Sequence, residues 1–316
     1  MKNEQRIFLN KHSYLSILIV VLFIVSAALA MLSPFFFSIK NLRNILNMSA
    51  IYLIISIGMT LVISAGQIDL SVGSIIGFSG MSYGMLMQAG LPTGLAILLG
   101  LSIAGLIGMI NGVIIAYGKI NSFIVTLSTM TIIRAIILIV SGSKSVFGFN
   151  EWFRYIGSGK IGVFNIPIYL SLLIALIGAI ILHKTLFGSH CLFLGANETA
   201  LKRAGVNTNF LVVKLFILSG LCAGLAGLIV TARLNSAEPL AGQGYEMDAI
   251  AATILGGTWL KGGRGSMFGT LVACLILNVL KNGLTLLSIS TNYQGILTGI
   301  ILLASVLISQ YQRKEK

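Results

Sequence analysis

The sequence predicts an all-α, polytopic membrane protein of about ten transmembrane helices, and three observations carry that prediction. Of 316 residues, 56% are apolar and only 9% charged. The mean hydropathy of +0.98 exceeds that of a water-soluble domain of this length. The apolar residues fall in runs of roughly 17 to 25, the length that crosses a hydrocarbon core. Such runs absorb about 200 residues, so residues 1–316 are expected to form one transmembrane domain with no separate soluble unit.

The first run, 14–32, follows Lys2, Arg6 and Lys11 and contains Ala28-Leu29-Ala30, which resembles a signal-peptide cleavage site. It is too long for a signal h-region and is expected to stay as the first helix. Further spans are expected at 48–65, 72–89, 94–117, 121–141, 166–183, 210–231, 246–258, 266–282 and 293–309. Pro34, Pro92, Pro167 and Pro239 each stand near a span end, as punctuation and not as hinges. An even number of spans puts both termini on one side. With that side in the cytoplasm, thirteen of the 21 Lys and Arg lie inside, seven outside and Arg134 within a span, the bias of the positive-inside rule. Lys40 and Arg43 run against it.

Glycine is abundant at 36 residues. Small-xxx-small spacings occur at Gly73 and Gly77, Gly80 and Gly84, Gly108 and Gly112, Gly220 and Gly224, Gly265 and Gly269, and Gly295 and Gly299. One helical face of small residues lets backbones approach where lipid offers no hydrophobic drive, although glycine is also simply common in transmembrane helices. The net charge of +13 would suggest nucleic acid in a soluble protein. Here the basic residues sit mostly in short loops, with no basic aromatic domain beside them, so no nucleic-acid partner is expected. Cys191, Cys222 and Cys274 are widely spaced and lack CxxC pairing. His183 and His190 have no ligand spacing either, so no metal site is expected.

Two interruptions organise the chain. Gly66-Gln67-Ile68-Asp69-Leu70-Ser71-Val72-Gly73-Ser74 separates two apolar runs and carries one of only eight acids. Asp69 and Ser71 are residue types that cap a helix start, and Gly66 and Gly73 permit a turn or close approach. The expected result is a helix break at or just inside the membrane boundary, tolerated where protein or a water-filled cavity covers the open backbone. Gly242-Gln243-Gly244-Tyr245-Glu246-Met247-Asp248 repeats the device before a short run that ends at Gly256-Gly257-Thr258. Gly-interrupted short spans in two halves point to a transporter pathway, and residues 48–141 and 210–309 are candidate repeat halves. Asp69, Glu246 and Asp248 suit capping and helix-break roles, with direct solute contact as the alternative. Asn111, Arg134, Lys214 and Gln294, polar groups in or near spans, are expected to face the interior.

GQIDLSVGS, then NSFIVTLSTMTIIRAI, then the long stretch from Ala232 to Leu271 occur in an order that resembles the permeases of ribose-type ABC sugar importers, over nearly the whole chain. The resemblance implies a membrane subunit of the bacterial inner membrane that translocates a monosaccharide such as ribose. It also implies partners: a cytoplasmic ATPase that carries ATP-Mg, an extracytoplasmic sugar-binding protein, and a second permease subunit forming a homodimer in membrane lipid. The segment 184–209 contains GANETALKRAGV, where Asn197 can cap a short helix and Gly205 can end it. The resemblance makes this the coupling helix, with Glu198, Lys202 and Arg203 facing the ATPase. An amphipathic helix on the headgroups is the other reading. Gln67, Ser189-His190-Cys191, Trp259 and Lys261 depart from the family pattern and bear on which sugar and which ATPase are accepted.

No GxxxxGK[ST] loop occurs, so the chain is not expected to bind a nucleotide, hold a cofactor or be an enzyme itself. Two rivals stand beside this reading. A secondary transporter or facilitator of a small polar solute would work without ATP, and a lipid-modifying membrane enzyme would need a polar catalytic cluster at one membrane face.

Overall fold

A computed structural model describes residues 2–290 and 292–314, with the side chains of 2–13 and 308–314 left outside the description. The charges on Lys2, Arg6, Lys11, Arg313, Lys314 and Lys316, which enter the topology argument, therefore lie outside the described residues. The helices are α1 (Lys2–Leu32), α2 (Ile39–Ser64), α3 (Val72–Gln88), α4 (Thr93–Gly118), α5 (Ser122–Ser141), α6 (Glu151–Ser158), α7 (Ile166–Lys184), α8 (Leu186–Arg203), α9 (Thr208–Leu234), α10 (Tyr245–Leu255), α11 (Met267–Leu286) and α12 (Asn292–Lys314). Two short antiparallel ribbons complete the fold. β1 (Val146–Phe147) pairs with β4 (Ser236–Ala237), and β2 (Lys160–Ile161) pairs with β3 (Phe164–Asn165).

Seven of these helices, α2, α4, α5, α7, α9, α11 and the 14–32 part of α1, are long and apolar enough to cross a membrane. Their starts are specified locally. The side-chain oxygens of Ser38, Asn121, Asn207 and Ser266 accept backbone N–H groups that would otherwise be unpaired at the starts of α2, α5, α9 and α11. α2 and α9 lie side by side at the centre, mostly buried, while α1 leaves almost its whole apolar surface outside.

Glycine decides how closely the central helices pack. α4 crosses α9 where a Cβ added at Gly108 would strike the carbonyl oxygen of Phe216 and one at Gly220 would strike that of Ala104. A Cβ on Gly112 would meet the backbone of Val213. The spacing Gly295 and Gly299 faces open space and packs nothing.

Two expectations need correction. The span 246–258 is an 11-residue helix ending at Leu255; at 1.5 Å per residue it covers about half of a bilayer. The segment 184–209 is more helical than a loop with one short helix, because 186–196 continues into the predicted piece across a kink. Residues 142–165, which contain no long apolar run, fold into α6 and the ribbons.

Candidate functional site

The first break ends α2 at Ala65 and restarts as α3 at Val72. Gly66 takes φ +74°, the left-handed conformation that glycine adopts without penalty. The backbone left open is closed by α5. Ser122 Oγ accepts from Ile68 N–H at 3.1 Å and Thr126 Oγ1 from Leu70 N–H at 3.1 Å. Serine and threonine at positions 122, 126 and 129 share one helical face, and that stripe is the signal sequence reasoning missed.

Asp69 is fully buried at this break. Its Oδ1 accepts from Ser71 N–H (3.0 Å) and Ser71 Oγ (2.6 Å), and its Oδ2 accepts from Ser219 Oγ of α9 (2.7 Å). Asn111 Nδ2 of α4 donates to Ser71 Oγ at 2.9 Å, and Thr129 Oγ1 of α5 donates to Asn111 Oδ1 at 2.6 Å. Three helices, α4, α5 and α9, are thus joined to the break by one hydrogen-bonded chain. Ser71 does not cap α3 as expected. Its hydroxyl makes no bond to the start of that helix, since Asp69 and Asn111 already occupy it.

The second break is a descending segment. After β4, residues 237–242 run along the glycine face of α3: a Cβ on Gly84 would meet Ala237, one on Gly77 the carbonyl oxygen of Ala241, and one on Gly73 that of Gly242. Non-helical backbone at membrane depth survives only if its polar groups find partners inside the protein. Arg134 of α5 supplies them. Its Nη1 donates to the carbonyls of Pro239 (2.8 Å) and Ala241 (3.0 Å), and its Nη2 to that of Gly73 (3.1 Å).

Glu246 and Asp248 lie inside the first turn of α10, not ahead of it, where carboxylates complement the helix dipole. Glu246 Oε1 accepts from Gly244 N–H at 3.2 Å, and its Oε2 packs against Gly73. Asp248 belongs to a different cluster. It pairs with Lys281 of α11 at 2.6 Å and accepts from Thr298 Oγ1 of α12 at 3.0 Å. The Lys281 ammonium lies 5.1 Å from the centre of the Tyr52 ring, which packs against Tyr245. Lys281, Thr298 and Tyr52 were not singled out from sequence. Gly256 and Gly257 join neither cluster. Gly256 ends α10 against Thr270 of α11, and Gly257 turns at φ +91° beside the Tyr14 ring.

The remaining candidates gather at the C-terminal end of α2, beside the first break. Gly66, Gly195 of α8 and Gly262 meet backbone to backbone, and Gly263 N–H donates to Ser64 C=O at 2.9 Å. α8 therefore touches both the first break and the loop that follows α10. It kinks at Asn197 (φ −160°, ψ 91°), whose Oδ1 accepts from Ala200 N–H at 2.9 Å. Glu198 and Lys202 form an exposed pair at 2.7 Å. Lys202 and Arg203 occupy the last turn, and Gly205 follows at φ +82°. A cleft of about 560 Å³ opens here, bordered by Gly66, Gln67, Lys119, Ser122, Glu198 and Asn209.

Among the described residues no group of three or more His, Cys, Asp or Glu could hold a metal ion. Two broken helices held inside a glycine-packed bundle, with side chains closing the exposed backbone, define a membrane permease. A family model described as branched-chain amino acid transport system / permease component matches residues 41–306. The chain belongs to this family and is a multi-pass protein of the bacterial inner membrane. It is 39% identical to the ribose import permease protein RbsC of Haemophilus influenzae, over 100% of this chain and 99% of that protein. It is 41% identical to the ribose import permease protein RbsC of Bacillus subtilis, over 92% and 90%. It is 37% identical to the D-allose transport system permease protein AlsC of Escherichia coli, again over 92% and 90%. No solved structure matches the chain.

Proposed function

We propose that the chain is the membrane subunit of an ATP-binding-cassette importer that brings a ribose-type monosaccharide into the cell. The carrying observation is full-length similarity to ribose permeases, joined to a pair of interior helix breaks of the kind that form transporter pathways. The sugar passes beside the first break, where Asp69, Ser71 and Asn111 tie α4, α5 and α9 together. Hydrolysis belongs to a partner ATPase, because this sequence has no phosphate-binding loop.

Ten crossings fit this reading: the seven long apolar helices together with α3, α10 and α12. Both termini then face the cytoplasm with α8, which acts as the coupling element. Its Glu198, Lys202 and Arg203 offer charges to the ATPase, and its glycine contact with the first break and with the loop after α10 gives it leverage on both. Residues 48–141 and 210–309 act as repeat halves. In support, α3 packs on α4, α5 and α9, as α10 packs on α11, α12 and α2. A second copy completes the pathway, and a sugar-binding protein loads it from the opposite face.

The test is reconstitution of the permease with its ATPase and binding protein in vesicles. ATP hydrolysis stimulated by sugar-loaded binding protein, with ribose uptake, is expected. Uptake driven by an ion gradient and indifferent to ATP would overturn the proposal in favour of a secondary transporter.

A further inference from the structure

The region between α5 and α7 carries an exposed aromatic and aliphatic surface. α6 is amphipathic. Phe153 and Gly157 face inward, Gly157 so close to α9 that a Cβ would strike the backbone N–H of Arg233. Trp152, Arg154 and Tyr155 face outward. The β2–β3 hairpin continues this surface, with Ile161, Val163 and Phe164 all exposed. Hydrogen bonds fix the parts together: Tyr155 Oη donates to Lys160 C=O at 3.3 Å and Tyr169 Oη to Ile161 C=O at 2.8 Å. The Phe164 ring meets the Tyr169 ring edge-on, with centroids 6.3 Å apart.

Tyr169 heads the exposed stripe Tyr169, Leu172, Leu173, Leu176, Ile177 and Ile180 of α7. That spacing is one helical face, and on a membrane span it meets acyl chains. The aromatic and aliphatic surface of α6 and the hairpin is therefore continuous with a lipid-facing surface, at its end away from α8. Tryptophan and tyrosine favour that depth, where a ring is half in hydrocarbon and half in the polar layer. Arg154 and Lys160 are exposed beside them, against one exposed acid in this region, Glu151.

We propose that α6 and the β2–β3 hairpin form a flap seated in the headgroup layer of the leaflet opposite α8, with Arg154 and Lys160 on anionic phospholipid headgroups. The flap holds the β1–β4 ribbon, and through it the second helix break, at a fixed depth in the bilayer.

The chain has two tryptophans, Trp152 and Trp259, so full-length Trp259→Phe permease in vesicles reports Trp152 alone. Should that variant misfold, the difference between wild type and Trp152→Phe gives the same signal. Phospholipids brominated near the headgroup are expected to quench Trp152 and those brominated near the chain ends to quench it little. Brominated phosphatidylglycerol is expected to quench more than brominated phosphatidylcholine. That preference should fall about fivefold for each of Arg154→Gln and Lys160→Gln, the equivalent of about 1 kcal/mol per cation. Quenching by aqueous acrylamide and not by either lipid would overturn the proposal and leave the surface to water or a soluble protein. Protection from both quenchers would overturn it in favour of a second copy of the chain covering the patch.

Discussion

Arg134 hydrogen-bonds across the two helix breaks, and its replacement by glutamine tests whether that link matters. Three backbone carbonyls, those of Pro239, Ala241 and Gly73, depend on its guanidinium. Interhelical hydrogen bonds in membranes contribute about 0.6 to 1.7 kcal/mol each, so the loss of three costs about 2 to 5 kcal/mol. A thermal shift assay in detergent should show this as a fall in Tm of about 4–10 °C. Uptake should fall as well, roughly tenfold for each 1.4 kcal/mol that the bonds contribute to the transport step. Lysine keeps the charge and loses the fork, so Arg134→Lys is expected between wild type and Arg134→Gln. A glutamine variant with native Tm and native uptake would refute the argument, because three orphaned carbonyls at membrane depth cannot be free of cost.

The buried pair Asp248–Lys281 should behave non-additively. Asp248→Asn or Lys281→Met alone leaves a partner unmatched and costs about 3–5 kcal/mol, whereas the double variant recovers most of it; additive Tm losses in a double-mutant cycle would contradict this. Gly108→Ala places a methyl on the Phe216 carbonyl and should cost about 1–3 kcal/mol, while Gly299→Ala, in open space, should be within about 0.5 kcal/mol of native by the same assay. Asn197→Ala removes the cap of the second part of α8 and should cost about 1 kcal/mol of that helix. It is expected to lower sugar-stimulated ATP hydrolysis while leaving the Tm of the transmembrane bundle nearly unchanged.

The helices were legible because the bilayer forces the signal: a run long enough to cross must be apolar throughout. Span ends from 94 to 141 agree with α4 and α5 to within a residue or so. α10 and α6 were not legible in the same way. α10 needs only half the depth, because the segment before it already lies inside the protein, and α6 is too short and too mixed in character to register as a run. The breaks themselves announced their positions through acids and glycines, but not their partners. Asp69 marked its own place, while Ser219, Thr129 and Thr126, residue types ordinary in membrane helices, gave no cue to which oxygen faces which donor.

Asp248 sharpens the contrast. From sequence, Asp69, Glu246 and Asp248 form one class, acids beside a helix break. In the folded chain, Asp69 accepts from the neutral donors of Ser71 and Ser219. Asp248 is matched to an ammonium on the next helix. A buried ion pair resists separation more strongly than a network of hydroxyls and amides, each of which can exchange one neutral partner for another at modest cost. The two breaks are therefore mechanically unequal. If α8 couples to an ATPase as proposed, the first, held by exchangeable neutral donors and lying next to the cleft beside α8, is expected to rearrange when α8 is displaced. The second, with Arg134 across its carbonyls and Lys281 on its helix, is the expected fixed member.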